Sequence, residues 1–380
     1  MCIRDSLDYA RKAYSRFDGD DPCPLVKVED GLYMLELWHG PTFAFKDMAL
    51  TLLPHLLVAS KKKLGDNGKT LILVATSGDT GKAALEGFRD VEGTEIIVFY
   101  PAKGVSAMQK LQMTTQQGGN VHVAGINGNF DDAQTAVKAI FTDKEVIDKL
   151  KSHGIEMSSA NSINWGRLAP QIAYYVSAYC DLLTSGEINK GDKINFVVPT
   201  GNFGNILAGY YAYRMGIPVG KLIVASNANN ILSDFFNTGK YDVNRNFFKT
   251  MSPSMDILVS SNLERLLFEV SGRDAKKIAG IYSDLKKFGK FELDMSELDL
   301  DVFEAGWADE EDTREAMANF FDLDDYVLDP HTAVAVSVYS DYADETEDET
   351  PTVVVSTASP YKFACDVYNL SLIHISEPTR

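Results

Sequence analysis

Six short runs of aliphatic and β-branched residues punctuate the chain: "TLILVA" (70–75), "EIIVFY" (95–100), "NVHVAGI" (120–126), "INFVVPT" (194–200), "KLIVASN" (221–227) and "TVVVST" (352–357). Between most of them lie amphipathic stretches such as "GKAALEGFRD", "SAMQKLQMTTQQ" and "FDDAQTAVKAIFTDKEVIDKLKSH". Such alternation specifies an α/β fold, with parallel strands covered by helices. In sheets of this kind ligands bind beyond the carboxyl ends of the strands. The loops that follow these runs are therefore where chemistry is expected. Residues 270–330 read as more helical and acidic, and "DYADETEDET" (341–350) reads as a solvated loop before the last strand. No internal repeat is present.

With 380 residues, 45% hydrophobic and 24% charged, the chain has the length for two domains and the composition of a soluble globular protein. A formal net charge of -18 argues against nucleic acid as a partner, because clustered Lys and Arg carry most of that affinity. Any anionic ligand must be held by local donors. Once Cys2 is set aside, Cys23, Cys180 and Cys365 lie far apart with no CxxC spacing, which predicts reduced, mostly buried thiols in a cytoplasmic protein. No apolar run approaches the roughly 18 residues of a membrane span. His39, His55, His122, His153 and His331 show no metal-ligand spacing, so no metal is expected. Tyr210, Tyr211 and Tyr213 read as helix packing.

The two ends read as translated sequencing adapters. ATGTGTATAAGAGACAG encodes Met1-Cys2-Ile3-Arg4-Asp5, and its reverse complement encodes Leu370-Ser371-Leu372-Ile373-His374. Residues 1–6 and 370–380 are therefore set aside from fold reasoning, and the natural N- and C-terminal segments are expected to lie outside this chain.

Three loops after strand-like runs are rich in Gly, Ser, Thr and Asn. The first, "ATSGDTGKAA" (75–84), leads straight into a helix; small residues admit a ligand to the backbone, and the unpaired amides of a helix start favour a carboxylate or phosphate. A helix capped by Asp79 or Thr80 explains the same residues. A nucleotide-binding P-loop does not: Thr76 stands where the first glycine is required, and Ala83 stands where a magnesium-binding hydroxyl is required. No GxGxxG or GxSxG follows a strand. The second loop, "PTGNFGNILAGYYAYRMG" (199–216), is a glycine-spaced arc whose amides could wrap a phosphate, or a plain asparagine-rich turn. The third, "STASPYKF" (356–363), presents Ser356, Thr357 and Ser359 hydroxyls, which at a strand end usually satisfy backbone groups. The three loops are expected above one sheet edge. "SSANSINWGR" (158–167) adds uncharged donors and Arg167, either a fork-shaped anion ligand or a structural ion-pair partner.

"HGPTFAFKDMAL" (39–50) places Lys46 between aromatic residues and a helix start. A lysine in such apolar surroundings is desolvated, which disfavours the ammonium and makes the neutral amine available as a nucleophile.

In this order and between these strands, "HGPTFAFKD", "TSGDTG", "PTGNFGN" and "STASPYKF" resemble the threonine synthases, pyridoxal 5'-phosphate enzymes of the tryptophan-synthase-β fold type (fold type II). "LELWHGPTFAFKDMAL" and "VVPTGNFGNILAGYYA" resemble the long class of that family, and the likeness runs from about residue 7 to about residue 369. It implies two open, mainly parallel sheets flanked by helices, with a large cofactor-binding domain (7–69 and 161–369) and a smaller mobile α/β domain (70–160). Lys46 matches the lysine that carries the cofactor. Gly201, Asn202, Phe203, Gly204 and Asn205 match the cofactor phosphate loop, and Thr357 matches the hydroxyl facing the pyridine nitrogen. Ser77, Gly78, Asp79 and Thr80 match the loop that takes the substrate carboxylate and lies against the cofactor ring. Many relatives of the fold type have asparagine at the Asp79 position. Thr76, Ser77, Asn161, Ser162 and Arg167 match positions that bind the substrate phosphate.

The reaction so implied converts O-phospho-L-homoserine and water to L-threonine and phosphate in a cytoplasmic monomer or homodimer. The nearest alternative within the class is a lyase releasing 2-oxobutyrate from the same substrate. Threonine dehydratase is disfavoured, because it needs no second phosphate pocket at Asn161, Ser162 and Arg167. A non-catalytic small-anion or nucleotide-binding module using "SGDTGK" is the alternative from a different class.

Overall fold

The computed structural model describes residues 3–76, 78–103, 105 and 107–368. Ser77, one of the expected substrate ligands, and residues 370–380 lie outside the described residues. The helix Ile3–Tyr14 takes in residues 3–6, set aside above.

Among the described residues the strands in chain order are β1 (Leu25–Glu29), β2 (Leu32–Glu36), β3 (Lys69–Ala75), β4 (Thr94–Pro101), β5 (Val121–Ile126), β6 (Ile155–Ser159), β7 (Ile194–Pro199), β8 (Val219–Ser226), β9 (Lys240–Asp242), β10 (Lys290–Glu292), β11 (Phe303–Trp307) and β12 (Thr352–Ser356). They form a four-stranded sheet in the order β5-β4-β3-β6, a six-stranded sheet in the order β1-β2-β12-β7-β8-β11, and a β10-β9 pair. The four-stranded sheet is wholly parallel, and in the six-stranded sheet only β1 runs antiparallel to its neighbour. Two open, mainly parallel sheets with helices between their strands is the expected architecture.

The chain divides into two compact units, one of Met1–Pro22 with Trp38–Pro170 and one of Cys23–Leu37 with Gln171–Arg380. Residues 7–22, 38–69 and 161–170 therefore cluster with the four-stranded sheet, whereas the likeness grouped them with the larger domain. In the first unit the period-two alternation of a strand sends β3 side chains to both faces. Ile72 and Val74 pack with Leu50, Leu85, Phe88 and Met113, while Leu73 and Ala75 pack with Ala133 and Val137. In the second unit β2, β7 and β12 are buried along their whole length, as expected of parallel strands covered on both faces.

Several expectations need correction. The loop after β3 stands on the four-stranded sheet, while the loops after β7 and β12 stand on the six-stranded one, so the three do not share a sheet edge. The acidic stretch 341–350 is not a loop throughout: the helix Pro330–Thr346 runs through its first half and ends at Glu347, whose φ is 52°. Asp329 caps that helix at its start, and Tyr339 and Tyr342 pack against the core, which holds the acidic face helical. Among the described residues Cys23 is buried, while Cys180 and Cys365 are exposed. The Tyr triplet divides likewise, Tyr210 being buried while Tyr213 is 39% exposed. The long segment 130–153 breaks at Asp143, which closes the helix Phe130–Thr142 and caps Lys144–Ser152.

Candidate active site

In the first unit the turn before Lys46 is latched by its neighbour Asp47. The Thr42 amide and hydroxyl donate to the buried Asp47 carboxylate at 2.7 and 2.6 Å. A side chain at Gly40 would collide with Asp47, its Cβ falling 2.6 Å from the Asp47 Cβ, so glycine is required there. Phe43 turns through a φ of 57° and is itself exposed. Lys46 then opens the helix Lys46–Leu50. Its side chain is 10% exposed, its Nζ sits 4.9 Å from the Phe45 ring centre, and Asp79 Oδ2 lies 3.5 Å away.

The surroundings of Lys46 are thus not only apolar. The attraction across such a pair, about 4 kcal/mol at an effective dielectric of about 20, is similar in size to the several kcal/mol that burying each ion costs. Asp79 thus gives the amine a buried ionic partner.

The loop 75–81 is organised by its own threonine. Thr76 Oγ1 accepts from the amides of Gly78 and Gly81 at 3.0 and 2.9 Å and donates to the Gly78 carbonyl at 3.1 Å. The helix Asp79–Phe88 has Gly78 at its N-cap and its Gly81 amide met by the Thr76 hydroxyl, so neither Asp79 nor Thr80 serves as the cap. Asp79 instead accepts from Gln109 Nε2 at 3.2 Å, and the missing side chain of Gly78 leaves room for that Gln109 amide. Gln109 carried no recognisable signal in the sequence. Thr80 is half-buried at the same helix start.

After β6, in the same unit, Asn164 caps the short helix Trp165–Leu168 by accepting from the Gly166 amide at 2.8 Å. Arg167, on that helix, is buried, donates Nη1 to the Ala160 carbonyl at 3.1 Å, and is pushed down to about 10 by burial. Asn161 and Ser162 are half-buried, and the Asn161 side-chain oxygen is enclosed without a hydrogen-bond partner.

In the second unit β7 delivers the 199–205 loop. Phe203 turns through a φ of 61° at the N-cap of the helix Gly204–Arg214, its ring stacked on Phe236. The loop is braced from 260–262: Ser260 Oγ donates to the Gly201 carbonyl at 2.8 Å, Ser261 Oγ to Asn202 Oδ1 at 3.1 Å, and the Asn262 amide to the Asn202 carbonyl at 3.1 Å. The Tyr174 and Tyr175 hydroxyls donate to Asn205 Oδ1 at 2.5 and 2.7 Å. Burial raises the Tyr175 hydroxyl well above its ordinary value, so it stays a donor. These braces were not legible, because the bracing residues lie far from the loop in sequence. Thr357 is buried just past the end of β12.

These residues fit a phosphorylated aldehyde cofactor. The buried Asn205 Nδ2 has no hydrogen-bond partner, the signature of a donor set aside for a ligand. A Cβ at Gly201 would lie 3.0 Å from the Ser254 carbonyl, so the backbone there is kept bare. The first amides of the 204–214 helix have no intrahelical acceptor.

A family model for pyridoxal-phosphate dependent enzymes matches residues 19–358. The chain belongs to the pyridoxal-phosphate dependent enzymes, in the group that includes the threonine synthases. It is 42% identical to human threonine synthase-like 1 over 352 residues, which is 90% of this chain and 46% of the relative. It is 41% identical to Pseudomonas aeruginosa threonine synthase over 354 residues, 93% of this chain and 72% of that one. The crystal structure of the PLP-bound threonine synthase of Brucella melitensis superposes with a TM-score of 0.88 at 42% identity, covering 97% of this chain and 76% of the other. The chain thus spans about half the length of the threonine synthase-like 1 proteins it matches.

No helix among the described residues is long and apolar enough to cross a membrane. Among the described residues no group of three His, Cys, Asp or Glu side chains could hold a metal ion.

Proposed function

We propose that this chain is a threonine synthase, converting O-phospho-L-homoserine and water to L-threonine and phosphate. Bound pyridoxal phosphate supplies an electron sink for carbanion character at the substrate's α- and β-carbons. Lys46 would hold the cofactor at its aldehyde carbon, and its Nζ, when free as the neutral amine, would be the base for the substrate's α-proton. Asp79 holds that amine in orientation. The amides of residues 201–205 and the Asn205 Nδ2 take the cofactor phosphate, and Thr357 presents a neutral hydroxyl to the pyridine nitrogen. In the first unit the 76–80 loop, including Ser77, takes the substrate carboxylate. Thr76, Ser77, Asn161, Ser162 and Arg167 serve the substrate phosphate, Thr76 by shaping the loop that its own hydroxyl staples.

The observation that carries this reading is the burial of Lys46 beside the Asp79 carboxylate, at the residue where the family places its cofactor-bearing lysine. The test is spectroscopic. Adding pyridoxal phosphate should raise a band at about 410 to about 430 nm that Lys46→Ala abolishes; an unchanged band in the variant overturns the assignment. Proton NMR of the products then separates the reaction from release of 2-oxobutyrate, a reading left open by relatives named only as threonine synthase-like.

A further inference from the structure

His331, which the sequence presents as an isolated histidine, is 2% exposed and engaged on both ring nitrogens. Nδ1 lies 2.8 Å from Asp329 Oδ1, and Nε2 lies 3.1 Å from the amide nitrogen of Ser254. A backbone amide can only donate, so Nε2 carries the lone pair and Nδ1 carries the proton. The pair fixes one neutral tautomer, in which the ring gives its hydrogen to Asp329 and receives one from Ser254. Asp329 is buried as well and is satisfied from its own helix start, by the His331 amide and by the Thr332 amide and hydroxyl.

Ser254 is the residue whose carbonyl packs against Gly201, 3.0 Å from where a Cβ would sit, and Met255 Cα would lie 3.1 Å from the same point. The turn that His331 holds is thus the wall behind the first residue of the 201–205 arc. On its other side His331 meets Phe363 edge-on, with ring centres 5.0 Å apart, and the neighbouring Thr332 hydroxyl lies 3.2 Å from Ser356 Oγ, one residue before Thr357. One helix start thereby touches both segments of the second unit assigned to the cofactor.

We infer that His331 is a positioning residue that sets the 201–205 arc for a phosphate monoester, acting through Ser254. This rests on the assignment of that arc to the cofactor phosphate made above. The Nε2 acceptor carries the effect. An asparagine at position 331 can still reach Asp329 but not the Ser254 amide, whereas a glutamine extends far enough to offer an oxygen to that amide.

The test uses the full chain stripped of cofactor and compares the dissociation constants of pyridoxal phosphate and of pyridoxal, which lacks the phosphate. His331→Asn should weaken pyridoxal phosphate by about tenfold while changing pyridoxal by less than about twofold, the size expected for losing one buried hydrogen bond that aims a charged contact. His331→Gln should recover most of that preference, which a merely structural role would not do. Should His331→Asn fail to fold, as judged by circular dichroism, the Gln variant decides alone: a wild-type preference supports the inference, and a lost one overturns it. Gly201→Val is the control on the underlying assignment. If it leaves the preference for the phosphorylated form intact, the phosphate-arc assignment falls. If it removes the preference while His331→Asn does not, only the role of His331 falls.

Discussion

The ammonium of Lys46 lies 3.5 Å from the carboxylate of Asp79, and the two side chains are 10% and 5% exposed. A carboxylate so placed favours the charged amine, whereas burial alone would favour the neutral one. Asp79→Asn removes the first effect and keeps the second. The variant should therefore capture pyridoxal phosphate faster at neutral pH, with its pH–rate profile displaced to lower pH. Stopped-flow absorbance across pH 6 to about 9 measures this, and a profile that coincides with wild type would show that Asp79 does not govern the charge on Lys46.

Gly87 packs the helix Asp79–Phe88 onto the end of the helix that Lys46 opens, and a Cβ there would lie 2.0 Å from the Leu50 carbonyl oxygen. Backbone cannot yield as a side chain does. Gly87→Ala should destabilise the protein by about 2 kcal/mol, the usual size of an overpacking strain, and should also weaken the cofactor band. Urea denaturation read beside absorbance checks both, and a variant as stable as wild type would refute the close approach.

Arg167 is enclosed and forked, and it is the cation proposed for the substrate phosphate. Lysine keeps the charge but loses the two-pronged geometry. Arg167→Lys should raise the KM for O-phospho-L-homoserine by about tenfold or more. Cofactor affinity should stay within about twofold of wild type. Loss of cofactor affinity with an unchanged KM would move Arg167 out of the substrate site.

Acid should expose a separate feature of the second unit. Burial pushes Asp348 up, but hydrogen bonds from Thr350, Tyr342 and Asn195 outweigh it and hold the carboxyl at about 2 against an ordinary 3.8. A depressed folded-state value contributes stability above the unfolded value and loses it as pH falls through the folded one. Wild type should therefore exceed Asp348→Asn in thermal stability near neutrality, and the gap should shrink between pH 3.8 and about 2. A gap independent of pH in that window would show that the carboxylate's charge does not matter.

How much of this could be read in the sequence depended on range. The aliphatic runs of β3, β4, β5, β7, β8 and β12 announced themselves because local side-chain pattern specifies a buried strand. β11, "FEAGW", did not, since its strand character comes from lying beside β8 in the folded sheet. Lys46 was legible from its motif, but Asp79 as its counter-ion was not, because only the fold brings the two side chains together. The staple formed by Thr76 within its own loop and the tyrosine bonds to Asn205 were hidden for the same reason. His331 stood alone in the sequence, because the Ser254 amide it receives lies in another loop.

The central position of β12 in its sheet has a consequence for biosynthesis. β2 emerges from the ribosome well before β12, yet its residues Leu32 to Glu36 pair with Thr352 to Ser356, and the same strand also pairs with β7. The β1–β2 hairpin must therefore wait, with one edge open, until residues 352–356 have been translated, by which time every strand of the four-stranded sheet is already available. Nascent chains stalled before residue 352 should hold a formed first unit beside an incomplete second one, the state in which a chaperone has most to protect.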